Sequence, residues 1–335
     1  MQHEVAIIGA GPIGLELAVA LKRAAIDYVH LDASQIGHTI SWFAPQTRFF
    51  SSNQRIAIAG VPLDTPDGGK ATREQYLSYL RTVVELFDLK VQTYEPVTNI
   101  EKSADGFRLT TSKSQIAAKK IILATGGTAR PRRLNIPGED LPHVSHYFHD
   151  PHTYFRTNLV IVGGKNSAVE AALRSYHAGA NVTLSYRRDK FPDGIKYWLL
   201  PEITGLIASR EIVSQFNTTP VAITRDHITL GRVDGATFDV PANFVLLLIG
   251  YEADMTLHRL AGVELLGDSQ TPRHNPETME TNAPGVYVAG TAVAGTQYGY
   301  KLFIENCHIH VDRIMAALTG HSPPKPAVAY MRPES

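Results

Sequence analysis

Apolar residues along this chain change their period in a fixed order, and do so twice. "VAII" from Val5 is an unbroken apolar run that stops at glycines, as a strand covered on both faces does. "IGLELAVALKRAA" then spaces its apolar residues three and four apart, the period of a helix with one buried face. "YVHLD" returns to a short apolar strand. The pattern predicts strands over Val5–Gly9 and Tyr28–Asp32 with a helix between them. From Asn158 to Arg188 the same grammar recurs in "LVIVGG", "KNSAVEAALRSYH" and "NVTLSYRR".

Between the two units lies an irregular aromatic stretch, "SWFAPQTRFFSSNQRIAIAGVP". A helical pattern follows, "REQYLSYLRTVVELF", then alternating segments such as "FRLTTS", and then "AAKKIILATGG", a strand running into a glycine turn. The run "TARPRRLNIP" from Thr128 to Pro137 has the proline and arginine content of a hinge. After the second unit come a strand at Phe244–Ile249, then "GVYVAGTAVAG", and a last helical pattern, "LFIENCHIHVDRIMAALTG", that stops at glycine. The tail "HSPPKPAVAYMRPES" is proline-rich and is expected to be extended. Strands alternating with helices make this an α/β protein. We read two Rossmann-like dinucleotide-binding domains of the three-layer ββα type, the second inserted into the first. The first domain is discontinuous, 1–128 and 253–335, and 129–252 forms the insert.

Composition narrows the partners. The 335 residues are 44% hydrophobic and 19% charged with a formal net charge of +0, which argues against nucleic acid or an anionic membrane as a partner. The longest apolar run, "FVLLLIG", is far short of the roughly 20 residues that cross a bilayer. The N-terminus lacks the basic start of a signal peptide, so a cytoplasmic protein is expected. Cys307 is the single cysteine, which excludes an intramolecular disulfide, a Cys-x-x-Cys redox pair and a thiolate zinc site within one chain.

Each unit carries the chemistry of a phosphate cradle. Gly9, Gly11 and Gly14 form G-x-G-x-x-G between a strand and a helix. The first glycine permits the tight turn, the second lets backbone approach a pyrophosphate, and the third lets the helix pack on the sheet. Asp32 ends the next strand, where a carboxylate accepts ribose hydroxyls. The position at the chain start, with the later turns "ILATGG" and "GVYVAGT", favours FAD here. In the second unit Gly163 and Ala168 keep the outer positions, but Lys165 replaces the middle glycine. The counterpart of Asp32 is Tyr186, followed by Arg187 and Arg188. No acid is there to repel a 2′-phosphate, and two guanidiniums stand ready to bind one, so NADPH is expected over NADH.

The chain resembles the two-dinucleotide flavoproteins of the low-molecular-weight thioredoxin reductase type, and among them the bacillithiol disulfide reductase branch. The resemblance runs from Val5 to Gly320 and rests on "FFSSNQRIAIAGVP", "VGGKNSAVEAAL", "GIKYWLLPEI", "NFVLLLIGYEAD", "AGVEL" and "FIENC". It implies an FAD domain split by an NADPH domain, a homodimer, and hydride transfer from NADPH to FAD and on to a disulfide-type acceptor, either a small molecule or a small redox protein. By position it implies FAD contacts from Gly9, Gly11, Pro12, Ile13, Gly14, Asp32, Ala33, Ser34, Ile40, Val97, Thr125, Gly126, Gly290 and Thr291. Leu302 is expected at the N-terminus of the last helix, beside the flavin ring. NADPH contacts are implied for Gly163, Gly164, Asn166, Ser167, Arg187, Arg188, Gly250 and Tyr251.

Two departures bear on the second half of the reaction. The bacillithiol branch commonly carries a cysteine directly after the Gly-Pro of its first motif, and Ile13 stands there in this chain. Relatives usually follow "GVYVAG" with an aspartate, where this chain has Thr291. The catalytic thiol is therefore sought at Cys307, expected one to two turns into the last helix. His143, His146, His149 and His152 recur every three residues and are read as linker, with no metal expected. Trp42, Phe43, Phe49 and Phe50 are candidates to line a flavin or acceptor pocket. Lys196 is a candidate ionic contact to NADPH. Tyr330 raises the alternative of a ferredoxin/flavodoxin–NADP reductase-like electron transferase with an aromatic C-terminal extension. A nucleotide-binding redox sensor is the non-enzymatic alternative.

Overall fold

In the computed structural model of the protein, residues 2–299 and 301–321 are described; Tyr330 lies outside them. The described chain separates into two compact units, one of residues 2–42, Gln46–Arg130 and the described residues from Tyr251 to 321, the other of Phe43–Pro45 and Pro131–Gly250.

The first unit starts with β1 (Gln2–Ile8), α1 (Pro12–Arg23) and β2 (Tyr28–Leu31). Proline at the first turn of α1 gives up an N–H that has no intrahelical acceptor there anyway. Helix α2 (Arg73–Leu86) begins at a reciprocal capping box between Thr72 and Gln75. Strands β3 (Val91–Gln92), β4 (Val97–Ser103), β5 (Gly106–Thr111) and β6 (Gln115–Leu123) follow. β1 pairs in parallel with β2 and β6, β2 pairs with β3, and β4–β5–β6 is an antiparallel meander. Strand alternation divides the side chains between two layers. Ala6, Ile8, Val29, Leu31, Ile121 and Leu123 pack against Ile100, Phe107 and Leu109 of the meander.

In the second unit, β7 (Val144–Ser145), β8 (Asn158–Val162), α3 (Asn166–His177), β9 (Asn181–Tyr186), α4 (Leu200–Ala208) and β10 (Val213–Phe216) come first. An antiparallel sheet follows, β11 (Thr218–Ile223), β12 (His227–Arg232) and β13 (Thr237–Pro241), and then β14 (Phe244–Leu247). The main sheet runs β10-β9-β8-β14-β7 and is parallel throughout. Leu159 and Ile161 of β8 face α3 and α4, whereas Val160 and Val162 face the antiparallel sheet. That gives the helix–sheet–sheet layering expected from the pattern. Ala44, from the short segment that belongs to this unit, packs on the helical side.

The chain then returns to the first unit through α5 (Thr256–Leu260), β15 (Val286–Val288) and α6 (His308–Thr319). β15 pairs in parallel with the end of β6, and α6 packs against α1 and stops at Gly320, φ +74°. Among the described residues no helix is long and apolar enough to cross a membrane.

Candidate functional site

In the first unit, the ends of β1, β2, β6 and β15 bring one set of turns together. Gly9 has φ +111°, and a Cβ there would run into the Ala124 carbonyl oxygen. A Cβ on Gly14 would strike the Gly9 carbonyl oxygen, so the start of α1 lies directly against the turn. Gly11 has nothing within 4 Å of a Cβ position, which leaves open space where the first N–H groups of α1 lack helical acceptors. His30, fully buried in β2, places Nε2 3.0 Å from the Gly9 carbonyl oxygen. Burial lowers the His30 pKa against the Gly9 hydrogen bond and the Asp32 charge, so the ring is neutral and donates to that carbonyl. The Asp32 carboxylate accepts from the N–H groups of Ala10 (2.6 Å) and Ser34 (2.7 Å). It thereby ties the two strand ends together. Ala33 is exposed and Ile40 buried beside this turn, and Val97 opens β4 just after Glu95, whose N–H donates to the Asp32 carbonyl.

The two later turns meet the first. Gly290, φ +68°, has the Ile13 side chain 3.5 Å from its Cβ position, and its N–H donates to Nδ1 of His310 at 3.2 Å. Burial, then Arg313, His274 and His308, push His310 down to about 3, so it accepts as a neutral ring. The Thr291 hydroxyl accepts from the Gly127 N–H at 2.9 Å and joins "ILATGG" to "GVYVAGT". Beside them Gly126 takes φ +80°, and Thr125 holds a buried Oγ1 with no hydrogen-bond partner among the described residues. An unpaired buried hydroxyl next to open space over a helix N-terminus fits a bound dinucleotide, which supplies both phosphate and hydroxyl partners.

The expectations for Cys307 and Leu302 at the end of the chain are corrected. Cys307 is the N-cap residue of α6, not a residue within it, and is 0% exposed. Burial and the Glu16 charge push its thiol far up, the opposite of what an attacking thiolate requires. Leu302 does not start the last helix: a short 3-10 turn, Ile304–Asn306, intervenes, and the Leu302 N–H is held by Gln297 Oε1 at 2.9 Å. His308 bonds Glu16 Oε2 (2.7 Å) and the Arg55 carbonyl oxygen (2.9 Å), two acceptors that call for protons on both ring nitrogens. Burial lowers its pKa, but the Glu16 hydrogen bond and charge, with the Arg55 carbonyl, outweigh that and raise it.

The second unit builds its turn at the switch point of its parallel sheet, where β8 neighbours both β9 and β14. Gly163 has φ +145°, with the Leu248 carbonyl oxygen 2.5 Å and the Ala168 Cβ 2.9 Å from its own Cβ position. Gly164 lies flat against the Tyr186 ring, where a Cβ would not fit. Lys165 caps α3, Ser167 is exposed in its first turn, and Arg187 and Arg188 are exposed just after β9. Gly250, φ +102°, follows β14 with Arg132 alongside, 3.8 Å from its Cβ position. Asn166 behaves differently from expectation. Its Oδ1 accepts from the Lys196 N–H (2.7 Å) and its Nδ2 donates to the Gly194 carbonyl (3.1 Å), so the side chain fastens a loop to α3. Lys196 is itself buried and its Nζ pairs with Glu170 at 3.1 Å, which corrects its assignment as an ionic contact to NADPH. Tyr251 belongs to the first unit, edge-on to Trp42 with ring centroids 5.1 Å apart.

Of the remaining candidates, Phe49 packs on the buried Tyr76, and Phe50 has the Lys70 ammonium over its ring. Among the described residues no group of three or more His, Cys, Asp or Glu is placed to hold a metal ion. In the histidine run, His143 bonds the Thr224 carbonyl and His146 sits 3.4 Å from Glu139. The residues missed from sequence are His30, His310 and Glu16, each buried or half-buried on an otherwise apolar face. A polar residue inside an apolar period is the signal that marks them.

Two glycine turns, each at the carboxyl ends of parallel strands of its own sheet, define an α/β protein built for two dinucleotides. A family model described as pyridine nucleotide-disulphide oxidoreductase matches residues 6–290. Bacilliredoxin reductase Bdr of Bacillus subtilis is 35% identical over 319 residues, 95% of this chain and 98% of that protein. The structure of Bacillithiol Disulfide Reductase Bdr (YpdA) from Staphylococcus aureus superposes with a TM-score of 0.90 at 35% identity, covering 96% of this chain and 99% of that one. Ferredoxin–NADP reductase of Ignicoccus hospitalis is 27% identical over 300 residues, 86% of this chain and 89% of that protein. The chain belongs to the pyridine nucleotide-disulphide oxidoreductase family, and it is an oxidoreductase that uses FAD and NADPH.

Proposed function

We propose that the protein passes reducing equivalents from NADPH, bound in the second unit, through FAD, bound in the first, to a small disulfide of the bacillithiol or bacilliredoxin kind. The observation that carries the acceptor is the 35% identity, over nearly the full length of both chains, with a protein named bacilliredoxin reductase. Bound flavin supplies hydride acceptance from the nicotinamide and two-electron delivery to the acceptor. The rest is work for this chain's own residues. Gly9, Gly11 and Gly14 keep the pyrophosphate approach clear, with Pro12 setting the helix start. Asp32, held by two backbone N–H groups, presents a fixed carboxylate edge to ribose, with Ala33, Ser34, Ile40 and Val97 around it. Thr125, Gly126, Gly290 and Thr291 run beside the rest of the cofactor, and the Thr291 hydroxyl, already accepting from Gly127, retains its proton to donate. Gly163, Gly164, Ser167, Arg187, Arg188 and Gly250 form the nucleotide cradle of the second unit. A homodimer in the cytoplasm completes this reading.

With Ile13 at the motif position and Cys307 sealed, no protein thiol is offered to the acceptor, so the disulfide must be reduced at the flavin itself. The same observation favours a second reading, electron transfer to ferredoxin or flavodoxin, the activity in the name of the Ignicoccus relative. An anaerobic stopped-flow experiment separates them. The flavoprotein is reduced with one equivalent of NADPH and mixed with bacillithiol disulfide, oxidised bacilliredoxin or ferredoxin, with Cys307→Ser alongside. Fast reoxidation by a disulfide in both proteins supports the proposal. Reoxidation by ferredoxin alone replaces it with the second reading, and loss of disulfide reduction in the variant restores Cys307 as the nucleophile.

A further inference from the structure

From Arg55 to Val61 the first unit carries a largely buried stretch of chain that leaves the short helical turn Asn53–Ile56 and joins no helix or strand. Side chains from three helices satisfy its backbone. Tyr76 of α2 donates to the Ile56 carbonyl at 2.7 Å. Tyr79 of α2 accepts from the Ile58 N–H at 2.7 Å and donates to the Val61 carbonyl at 2.7 Å. Glu16 of α1 accepts from the Ala59 N–H at 3.1 Å, and Arg23 donates to the Ala59 carbonyl at 3.0 Å. His308 of α6 donates to the Arg55 carbonyl at 2.9 Å. Ala59 sits at φ +56°, a left-handed conformation that a residue with a Cβ holds only under such support.

The His308 bond depends on a proton. Nδ1 lies 2.7 Å from Glu16 Oε2 and Nε2 lies 2.9 Å from the Arg55 carbonyl oxygen. A carboxylate and a carbonyl only accept, so both bonds exist together only while both ring nitrogens are protonated. Glu16 therefore serves Ala59 with one oxygen and the imidazolium with the other. Other ionisable groups surround the pair. Arg55 meets Glu305 of the 3-10 turn at 3.6 Å, Asp312 and the neutral His310 follow on α6, and the phenols of Tyr76 and Tyr79 face the Glu16 charge. Cys307 lies in the middle of these elements. It ends the 3-10 turn Ile304–Asn306, which packs on Asn53–Ile56, and it starts α6, which packs on α1.

We propose that His308, Glu16 and the Arg55 carbonyl form a proton-operated latch that holds the Arg55–Val61 stretch closed against the turn carrying Cys307. With a single proton the imidazole serves a single acceptor. It keeps the charge-assisted bond to Glu16 and gives up the Arg55 carbonyl, where a bare Nε2 would face an oxygen. The stretch then opens locally while α1 and α6 stay packed, and solvent reaches Cys307. Burial lowers the His308 pKa, but Glu16, the Arg55 carbonyl and Asp312 outweigh it and raise the value above the ordinary one of about 6.5. The latch is accordingly closed at and below that pH and opens as pH rises through the folded pKa.

Because Cys307 is the single cysteine, thiol labelling reports on this place alone. Oxidised holoprotein is labelled with an aromatic disulfide reagent between pH 6 and pH 9. Each rate is divided by that of the same chain unfolded in guanidinium, which removes the ordinary dependence on thiolate. Hydrogen exchange at the Ala59 amide, corrected for its intrinsic rate, is followed over the same series. In the wild type both readouts are expected to rise about tenfold with one midpoint above pH 6.5. Glu16→Gln, which removes the charge beside the ring, is expected to move that midpoint to lower pH. His308→Gln keeps a donor that does not titrate and is expected to hold both readouts within about twofold across the range. Flat readouts in the wild type, an unmoved midpoint in Glu16→Gln or the same rise in His308→Gln would each overturn the latch. Ala59 exchange that rises while the thiol stays protected would overturn the uncovering of Cys307.

Discussion

At the scale of the residue, neutral histidines hold the glycine turns of the first unit: His30 bonds the Gly9 carbonyl and His310 accepts from the Gly290 N–H. His30 stands in β2 where a strand pattern calls for an aliphatic residue, and it donates its proton to the Gly9 carbonyl at the end of β1. Removing it leaves that carbonyl without its buried partner, at a net cost of about 1 kcal/mol. His30→Leu is expected to raise the dissociation constant for FAD about fivefold in reconstitution of the apoprotein, followed by quenching of flavin fluorescence. His30→Gln, which keeps a donor of similar reach, is expected to recover part of the loss. An unchanged constant in His30→Leu would mean that the turn holds its shape without the ring. Such residues were invisible to motif reasoning because motifs name what touches the ligand, and His30 acts one layer behind it.

At the scale of the element, the sequence pattern placed the strand–helix–strand units where they stand, because period and glycine punctuation are local properties. The boundaries differed where tertiary bonds decide them. The predicted strand to Ile249 ends at Leu247, and the helix expected to include Leu302 and Cys307 starts at His308. In the latter case Gln297 and Asn306 capture the N–H groups of Leu302 and Phe303 and hold the chain out of the helix. Spacing does not reveal side-chain capture of this kind. The loop after β9 makes the same point. Asn166 and the Lys196–Glu170 pair pin Gly194 and Lys196 onto the first turns of α3, beside the glycine turn. Asn166→Ala removes two hydrogen bonds. It is expected to speed hydrogen exchange at Lys196 at least tenfold and to weaken NADP+ severalfold, with little change in melting temperature. Faster exchange without weaker binding would make the loop a mere cover.

At the scale of the whole molecule, the buried histidines set how stability depends on pH. Burial lowers His30, takes His258 down to about 4 and takes His310 down to about 3. A histidine whose folded pKa lies below its unfolded value of about 6.5 binds its proton more readily in the unfolded chain. Its stabilising effect is therefore complete above that value and is lost as pH falls from about 6.5 towards the folded pKa. His308 has the opposite sign: raised in the fold by Glu16 and Arg55 against its burial, it stabilises below about 6.5 and loses that effect as pH rises through its folded pKa. Burial lowers His146 as well, so the histidines together place their best stability near pH 6.5, with an acid limb from four rings and an alkaline limb from one. Melting temperatures measured between pH 4 and pH 9 test the division. His258→Leu with His310→Leu is expected to flatten the acid limb while leaving the alkaline one, and His308→Gln to flatten the alkaline limb alone. The slopes carry the result, since each variant also shifts the whole curve by removing packing or a hydrogen bond such as Gly290 N–H to His310. An acid limb equally steep in the double variant would assign the proton uptake to His30, His146 or carboxylates instead.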